Sequence, residues 1–380
     1  VPSLVLSPTE RAASPAPAGG ATALTILHLT HQGGAAGSTV SIAALAAAQR
    51  AAGHRVLVGC PERSLLAAMA RSAGVEVRPM VFDRTSRAAA RLVRLVEAEG
   101  VDVVNSHASR DRAACRRARL AGRLDAACVM TRRQMPRSLP VSVFLNGFAA
   151  DCTIAVSRAV ARALVRRGAP AWRMRVVPNG VDLSRVDRAV TAGDVDTARA
   201  LSGWRPWRRT VGVVARRKDH DVLLKAVAML AEPLTVALVG VGPDGELSAL
   251  AAAAPQHEVR CVPFRPDVLP FYRLFDAVVL PSRAEGLSQA LLEAMALGLP
   301  VVASRAGGNV DLVSHEVDGL LVPARDAAAF ASALARLLGD AALRRRLGER
   351  GRRTARERFP LQRTVQLTEA AYRAALAQRR

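Results

Sequence analysis

The stretch Ser282–Gly308, SRAEGLSQALLEAMALGLPVVASRAGG, decides how this chain is read. The run AVVLPS leads into it, PVVAS lies within it, and QALLEAMALG between them carries apolar residues at helical spacing. Two strands joined through a helix form a right-handed parallel unit. Glu285 then falls in the turn after the first strand. Ser288 is placed to cap the helix, and Glu293 follows about a turn and a half into it. If the turn folds back over the helix start, both carboxylates face one pocket beyond the carboxyl ends of the strands, where open parallel sheets bind ligands.

The same alternation extends in both directions. Upstream, TALTILHLT, HRVLVGC, VEVRPMVF, VDVVNSH, AACVMTR, CTIAVS and MRVVP are seven strand-like runs with helical segments between them. A polar stretch from Asn179 to Trp207 interrupts the pattern, and a second series follows: TVGVVAR, LTVALVG, EVRCVPF, AVVLPS, PVVAS and GLLVP. The fold class is α/β, with two doubly wound Rossmann-like halves facing across a cleft. We expect a disordered, Pro- and Ala-rich leader over residues 1–20 and a first domain over 21–182. A linker over 183–209, a second domain over 210–358 and a C-terminal helix over 359–380 that packs back toward the first domain complete the expectation.

Composition sets further bounds. With 380 residues, half of them apolar but only 3% aromatic, the core is built from Ala, Val and Leu. The balance of 54 Lys plus Arg against 32 Asp plus Glu gives a formal charge of +22, which attracts phosphates or anionic lipid. Five scattered cysteines, an odd number without metal-ligand spacing, fit a reducing cytoplasm better than a disulfide framework. No apolar run is long enough to span a bilayer, and the N-terminus lacks the pattern of a signal peptide.

Several residue groups could carry chemistry. Paired carboxylate oxygens on Glu285 and Glu293 suit sugar or ribose hydroxyls, while free amides at a helix start favour a phosphate. Gly307 and Gly308, after the next strand, permit positive φ and close approach of backbone to an anion; a tight turn that simply needs glycine is the alternative. Arg216, Arg217 and Lys218 end the first strand of the second half, where cations can neutralise a diphosphate leaving group. Gly240, Gly242 and Gly245 spell G-x-G-x-x-G, but Phe264 and Arg265 occupy the end of the following strand, where a nicotinamide site would have an acid. Gly33, Gly34 and Gly37 lie between a strand and a helix in the first half, without the lysine of a Walker loop. His107 ends the strand VDVVNSH, as a chemical or a structural imidazole, and Arg132 and Arg133 end the next strand on the same face. Asp194 and Asp196 have a metal-like spacing in the polar linker, away from any strand end, so no metal and no cofactor is expected.

Taken together, FYRLFDAVVLPSRAEGLSQALLEAMALGLPVVASRAGG, VVPNGVD, GVVARRKDHDVLLKAV and LVGVGPDGELSAL resemble glycosyltransferase family 4, of the GT-B architecture, from about Leu24 onward. The resemblance implies a nucleotide-diphosphate sugar donor held by the second half and transfer that retains anomeric configuration. By position it implies that Glu285 contacts the donor sugar and Glu293 the ribose. It gives the diphosphate to Arg216 and Lys218, assigns phosphate binding to the backbone of Gly286, Leu287 and Ser288, and matches Gly33 and Gly34 to the first-half glycine loop. One departure stands out: Thr131, Arg132 and Arg133 occupy the place where many relatives carry a histidine, so any role for a neutral imidazole there is lost.

The expected partners are that donor and a hydroxyl acceptor on a lipid, a cell-envelope glycan or a small molecule. An anionic membrane surface is a further one, suggested by RSLPVSVFLNGFAA with its flanking arginines, although an ordinary amphipathic helix packed on the sheet would read the same way. The expected location is cytoplasmic, or peripheral on the inner face of the membrane. Two other readings remain open from sequence: a nucleotide-sugar epimerase of the same fold, and a nonenzymatic polyanion-binding protein. Nucleic acid is not expected, since stacking aromatics and recognised modules are missing.

Overall fold

The computed structural model describes residues 22–379, so the leader expected over residues 1–20 lies outside the described residues. The first sheet comprises β1 (Thr25–Leu29), β2 (Arg55–Cys60), β3 (Glu76–Pro79), β4 (Val103–Ser106), β5 (Ala127–Arg132), β6 (Cys152–Ala155) and β7 (Met174–Val176). The second comprises β8 (Arg209–Val214), β9 (Leu234–Val239), β10 (Glu258–Val262), β11 (Ala277–Leu280), β12 (Val301–Ser304) and β13 (Leu320–Val322). Their orders are β3-β2-β1-β4-β5-β6-β7 and β10-β9-β8-β11-β12-β13, with parallel pairing throughout. Each strand-like run of the sequence thus becomes one strand, and the two doubly wound halves face each other across a cleft.

The inner strands are apolar on both faces because helices cover both; β4, β5, β9, β11 and β12 are buried along their whole length. Edge strands are treated differently. β3 and β10 are partly exposed and carry Arg78, Pro79 and Arg260, which discourages pairing with another chain. One apolar cluster continues across both halves, joining Val156 and Val160 to Leu287 and Leu291.

The stretch read as a linker is largely helical. Asp182 caps the helix Leu183–Asp187 and Thr191 caps Ala192–Ser202 through their side-chain oxygens, an N-terminal signal that the polar composition obscures. The last helix, Leu361–Ala377, returns to the first sheet, where Ala371, Tyr372 and Ala375 pack with Ile26, Val103 and Val129. Its entry is pinned by Val181, which donates to the Phe359 carbonyl at 2.8 Å and accepts from Leu361 at 2.9 Å. Gly180 lets the chains touch there: a Cβ would lie 2.5 Å from the Leu361 Cα.

Tyr372 is fully buried and its hydroxyl accepts from Asn105 Nδ2 at 2.6 Å. We therefore expect Tyr372→Phe to cost about 1–3 kcal/mol by leaving that amide unpaired, and Tyr372→Ala about 3–5 kcal/mol through the cavity as well. Urea unfolding checks both; equal stability of the three proteins would show that the return helix does not hold the first half.

Candidate active site

In the second sheet the strand order reverses between β8 and β11, so the turns that leave these two strands part and open a crevice. Arg216, Arg217 and Lys218 leave β8 there, and Glu285 leaves β11. Their side of the crevice faces the first-half segments 35–41 and 133–137, and the enclosed cleft has a volume of about 730 Å³. That size is ordinary for a small-molecule site.

The turn Glu285–Ser288 is held from two sides by contacts that only glycine allows. A Cβ on Gly286 would stand 2.0 Å from the Arg133 carbonyl oxygen of the first half. On the other side, a Cβ on Gly308 would stand 1.6 Å from the Gly286 carbonyl oxygen, and one on Gly307 2.2 Å from that of Glu285. Gly307 also has φ near 53°, in the left-handed region. The Gly308 amide donates to the Glu285 carbonyl at 2.9 Å, so this glycine pair braces the turn from behind instead of lining the cleft.

Ser288 is the N-cap of the helix Gln289–Ala296, its hydroxyl accepting from Leu291. Gly286, Leu287 and Ser288 line the cleft at that helix start. Among the described residues no carbonyl or side chain accepts from their amides, which therefore present the partial positive end of the helix to whatever enters.

Both glutamates are buried at the cleft wall and both are ion-paired. Lys218 Nζ donates to Glu285 Oε1. Glu293 Oε1 accepts from Arg185 Nη1 at 2.6 Å, and its other oxygen is 3.4 Å from the Tyr272 hydroxyl. Burial, with Glu293 beside it, raises the Tyr272 phenol well above its ordinary range, so it stays a donor. The three cations after β8 divide their work. Arg217 is spent on Asp244 at 2.9 Å and Glu246 at 2.6 Å, whereas Arg216 has no acidic partner among the described residues. Gly240 lines the cleft nearby with φ near 101°, its amide donating to Val262.

On the first-half side Arg133 reaches the cleft, and its Nη1 donates to Asn179 Oδ1 at 2.7 Å. Asn179 in turn donates to the Leu287 carbonyl at 3.1 Å, tying this arginine to the turn it faces. Burial lowers the Arg133 guanidinium to about 10, which leaves it cationic at neutral pH. His107 does not line the cleft; it sits behind Arg133, with Nδ1 3.5 Å from the arginine Nε. An arginine only donates, so His107 Nδ1 accepts and its Nε2–H donates to His28 Nδ1 at 3.0 Å. His28 Nε2–H then donates to Gln49 Oε1 at 2.7 Å. Both rings are neutral in this chain. Burial lowers His28 to about 4 and His107 well below its ordinary value, with the Arg133 charge adding to both shifts.

Gly33 and Gly34 lie outside the cleft lining, which begins at Ala35. Gly33 is needed for packing, since a Cβ would stand 2.5 Å from that of Ser64, while Gly34 has open space around its Cα. Asp194 and Asp196 are on the exposed helix Ala192–Ser202, engaged with Thr191 and Arg199. Among the described residues no group of three or more His, Cys, Asp or Glu side chains is placed to hold a metal. Reading the sequence overlooks Arg185, Asn179, Tyr272 and Gln289, all of which touch the glutamate wall or its helix. Only Asp182, whose capping starts the helix that carries Arg185, leaves a local signal.

Comparison with known proteins agrees with this geometry. Residues 35–185 match the family described as Glycosyltransferase Family 4, and residues 208–340 match Glycosyl transferases group 1. The D-inositol 3-phosphate glycosyltransferase of Salinispora arenicola is 38% identical over 231 residues, 54% of this chain and 51% of the relative. The protein of the same name from Salinispora tropica is 36% identical over 256 residues, 61% of this chain and 52% of the relative. The chain thus spans about half the length of the curated relatives it matches. Among solved structures, Anabaena HepE in complex with UDP-glucose superposes with a TM-score of 0.80 at 22% identity, covering 91% of this chain and 99% of HepE. Sucrose-phosphate synthase from Thermosynechococcus elongatus gives 0.75 at 22% identity, covering 93% and 100%; at these identities the likeness speaks for the fold. With glycosyltransferase models matched in order over both halves and the fold shared over 91% of its length, the chain belongs to the glycosyltransferases of the GT-B fold, its first half matching Glycosyltransferase Family 4.

Proposed function

We propose that the cleft binds a nucleotide-diphosphate sugar and transfers its sugar, with retention of configuration, to an acceptor hydroxyl on a lipid, a cell-envelope glycan or a small molecule. The observation that carries this reading is the meeting, at one switch point, of two buried carboxylates, a helix start with free amides, and the cations Arg216 and Lys218. Glu293 holds the ribose, Glu285 the sugar hydroxyls, and the amides of Gly286–Ser288 with Arg216 and Lys218 hold the diphosphate. The UDP-glucose in HepE supports such a donor, and the names of the relatives support glycosyl transfer. On the opposite wall Arg133 and Arg137 suit an acceptor that carries an anionic group. The five free cysteines support a reducing, cytoplasmic setting.

In the proposed reaction the bond between the anomeric carbon and the diphosphate oxygen breaks, and the acceptor oxygen bonds to that carbon on the same face. The acceptor proton passes to the departing phosphate oxygen, so no protein nucleophile is needed. Charge builds on the diphosphate in the transition state, where Arg216, Lys218 and the helix amides stabilise it. Lys218 donates to Glu285, and an entering diphosphate competes for it, releasing the carboxylate to the sugar.

A thermal-shift panel of nucleotide sugars, followed by assays of net transfer, tests the proposal. Hydrolysis or epimerisation of the donor without any transfer would contradict it. Glu293→Ala is expected to weaken nucleotide affinity roughly tenfold or more, whereas Glu285→Ala mainly lowers kcat by a similar factor. Unchanged kinetics in both variants would reject the assignment.

The histidine pair behind Arg133 gives a pH signature. Its folded-state affinities for protons lie below the unfolded value of 6.5, so its contribution to stability is fully present above that pH. As pH falls toward about 4 the contribution is lost, by up to about 1.4 kcal/mol per pH unit for each ring. Thermal unfolding between pH 7 and 4.5 should show the midpoint falling, with a shallower slope in His28→Gln; identical slopes would contradict the neutral pair.

A further inference from the structure

The helix Pro140–Ala149 turns one apolar side to the protein and another to solvent. Val143, Gly147 and Ala149 are buried, but Val141, Phe144, Leu145 and Phe148, at the spacing of one helix face, are exposed. The exposed side continues into Leu139, 73% exposed, and Trp172, 67% exposed. Phe144 and Phe148 are in contact, with ring centroids 4.5 Å apart, and Phe148 meets Trp172 edge-on at 5.9 Å. Single exposed apolar residues are commonplace; a contiguous aromatic patch on an otherwise charged surface marks a contact surface.

The rim of the patch is cationic. Arg116 donates to Asn146 on this helix, Arg173 to the Phe148 and Ala150 carbonyls, and Arg175 to that of Trp172. Gly168, after Arg166 and Arg167, lies beside Phe144: a Cβ there would stand 3.4 Å from its ring. From Arg133 to Arg175 the chain has eight arginines and one acid, Asp151, which is itself paired with Arg119 at 2.6 Å. An apolar protein partner would be served by the aromatics alone. Aromatics ringed by unopposed arginines suit a surface that is apolar beneath and anionic on top.

The location adds a third observation. Arg137, two residues before Leu139, lines the cleft beside Arg133 and Met135. The patch therefore begins at the mouth of the cleft on its acceptor side.

We propose that the face built from Leu139, Val141, Phe144, Leu145, Phe148 and Trp172 docks on an anionic lipid bilayer and brings the cleft mouth to the headgroup level. It rests on the glycosyl-transfer reading only for its purpose, since docking itself needs no substrate. A lipid-borne acceptor would then reach Arg133 and Arg137 without leaving the membrane, while the soluble donor enters from the other side.

The test is flotation of the full chain with vesicles of phosphatidylglycerol mixed into phosphatidylcholine, against phosphatidylcholine alone, over a range of salt. Wild type should float with the anionic vesicles only, less so as salt rises. Phe144→Ser/Phe148→Ser should reduce flotation at least tenfold while keeping its circular dichroism, its donor hydrolysis and its monomeric elution. Brominated lipid should quench tryptophan emission in wild type, and the quenching should be lost in Trp172→Phe. Flotation with neither vesicle, equal flotation with both, or unchanged flotation of the double variant would overturn the proposal. So would a wild-type dimer in solution that the double variant dissolves, which would mean that a second copy covers this face. Net sugar transfer to a soluble acceptor with no vesicle binding would sink the docking and leave glycosyl transfer standing; vesicle binding with no activity on any donor would do the reverse.

Discussion

At the centre of this molecule, backbones approach where no side chain fits. The turn after β11 is pressed between the Arg133 carbonyl on one side and the Gly307–Gly308 turn on the other, with room for hydrogen atoms only at Gly286 and Gly308. Three strand ends, one of them from the other half of the chain, thereby fix the position of Glu285 and of the helix start behind it. Asn179 completes the seam by bonding Arg133 and the Leu287 carbonyl at once. The site is thus set by backbone, which does not change rotamer, and its cations are added to a frame already in place.

Charge is distributed with similar economy. The chain carries a formal +22, yet several cations around the cleft are paired: Lys218 lies on Glu285, Arg185 on Glu293 and Arg217 on Asp244 and Glu246. These pairings keep the cations from repelling one another. Arg216 is left to supply field, together with the helix amides. Arg133 owes its orientation to Asn179 ahead of it and a neutral imidazole chain behind it.

Much of this was legible in residue order. Alternation of β-branched runs with helical spacing marks every strand of both sheets, because parallel strands buried on both faces leave a continuous apolar signature. The spacing of Glu285, Ser288 and Glu293 puts a carboxylate in the turn, a cap on the helix and a second carboxylate inside it, as the structure has them. What stayed hidden depends on distance in sequence. Arg185 and Glu293 are 108 residues apart, as are Asn179 and Leu287, and no local pattern announces such pairs. His107 and the glycine pair at Gly307 were visible as unusual residues, but whether such a group lines a cleft or supports what lines it is decided by neighbours from other elements. The helices within the supposed linker were masked by polar composition, although their caps obey ordinary rules.

The claim that organises everything else is that the helix start at Gly286–Ser288, between the two glutamates, receives a diphosphate. A crystal structure of the protein with whichever nucleotide-diphosphate sugar stabilises it most tests this directly. The account predicts phosphate oxygens on the amides of Gly286–Ser288 with Arg216 alongside, ribose hydroxyls on Glu293, and Lys218 drawn from Glu285 to the diphosphate. A diphosphate bound elsewhere, with the Lys218–Glu285 and Arg185–Glu293 pairs undisturbed, would contradict it.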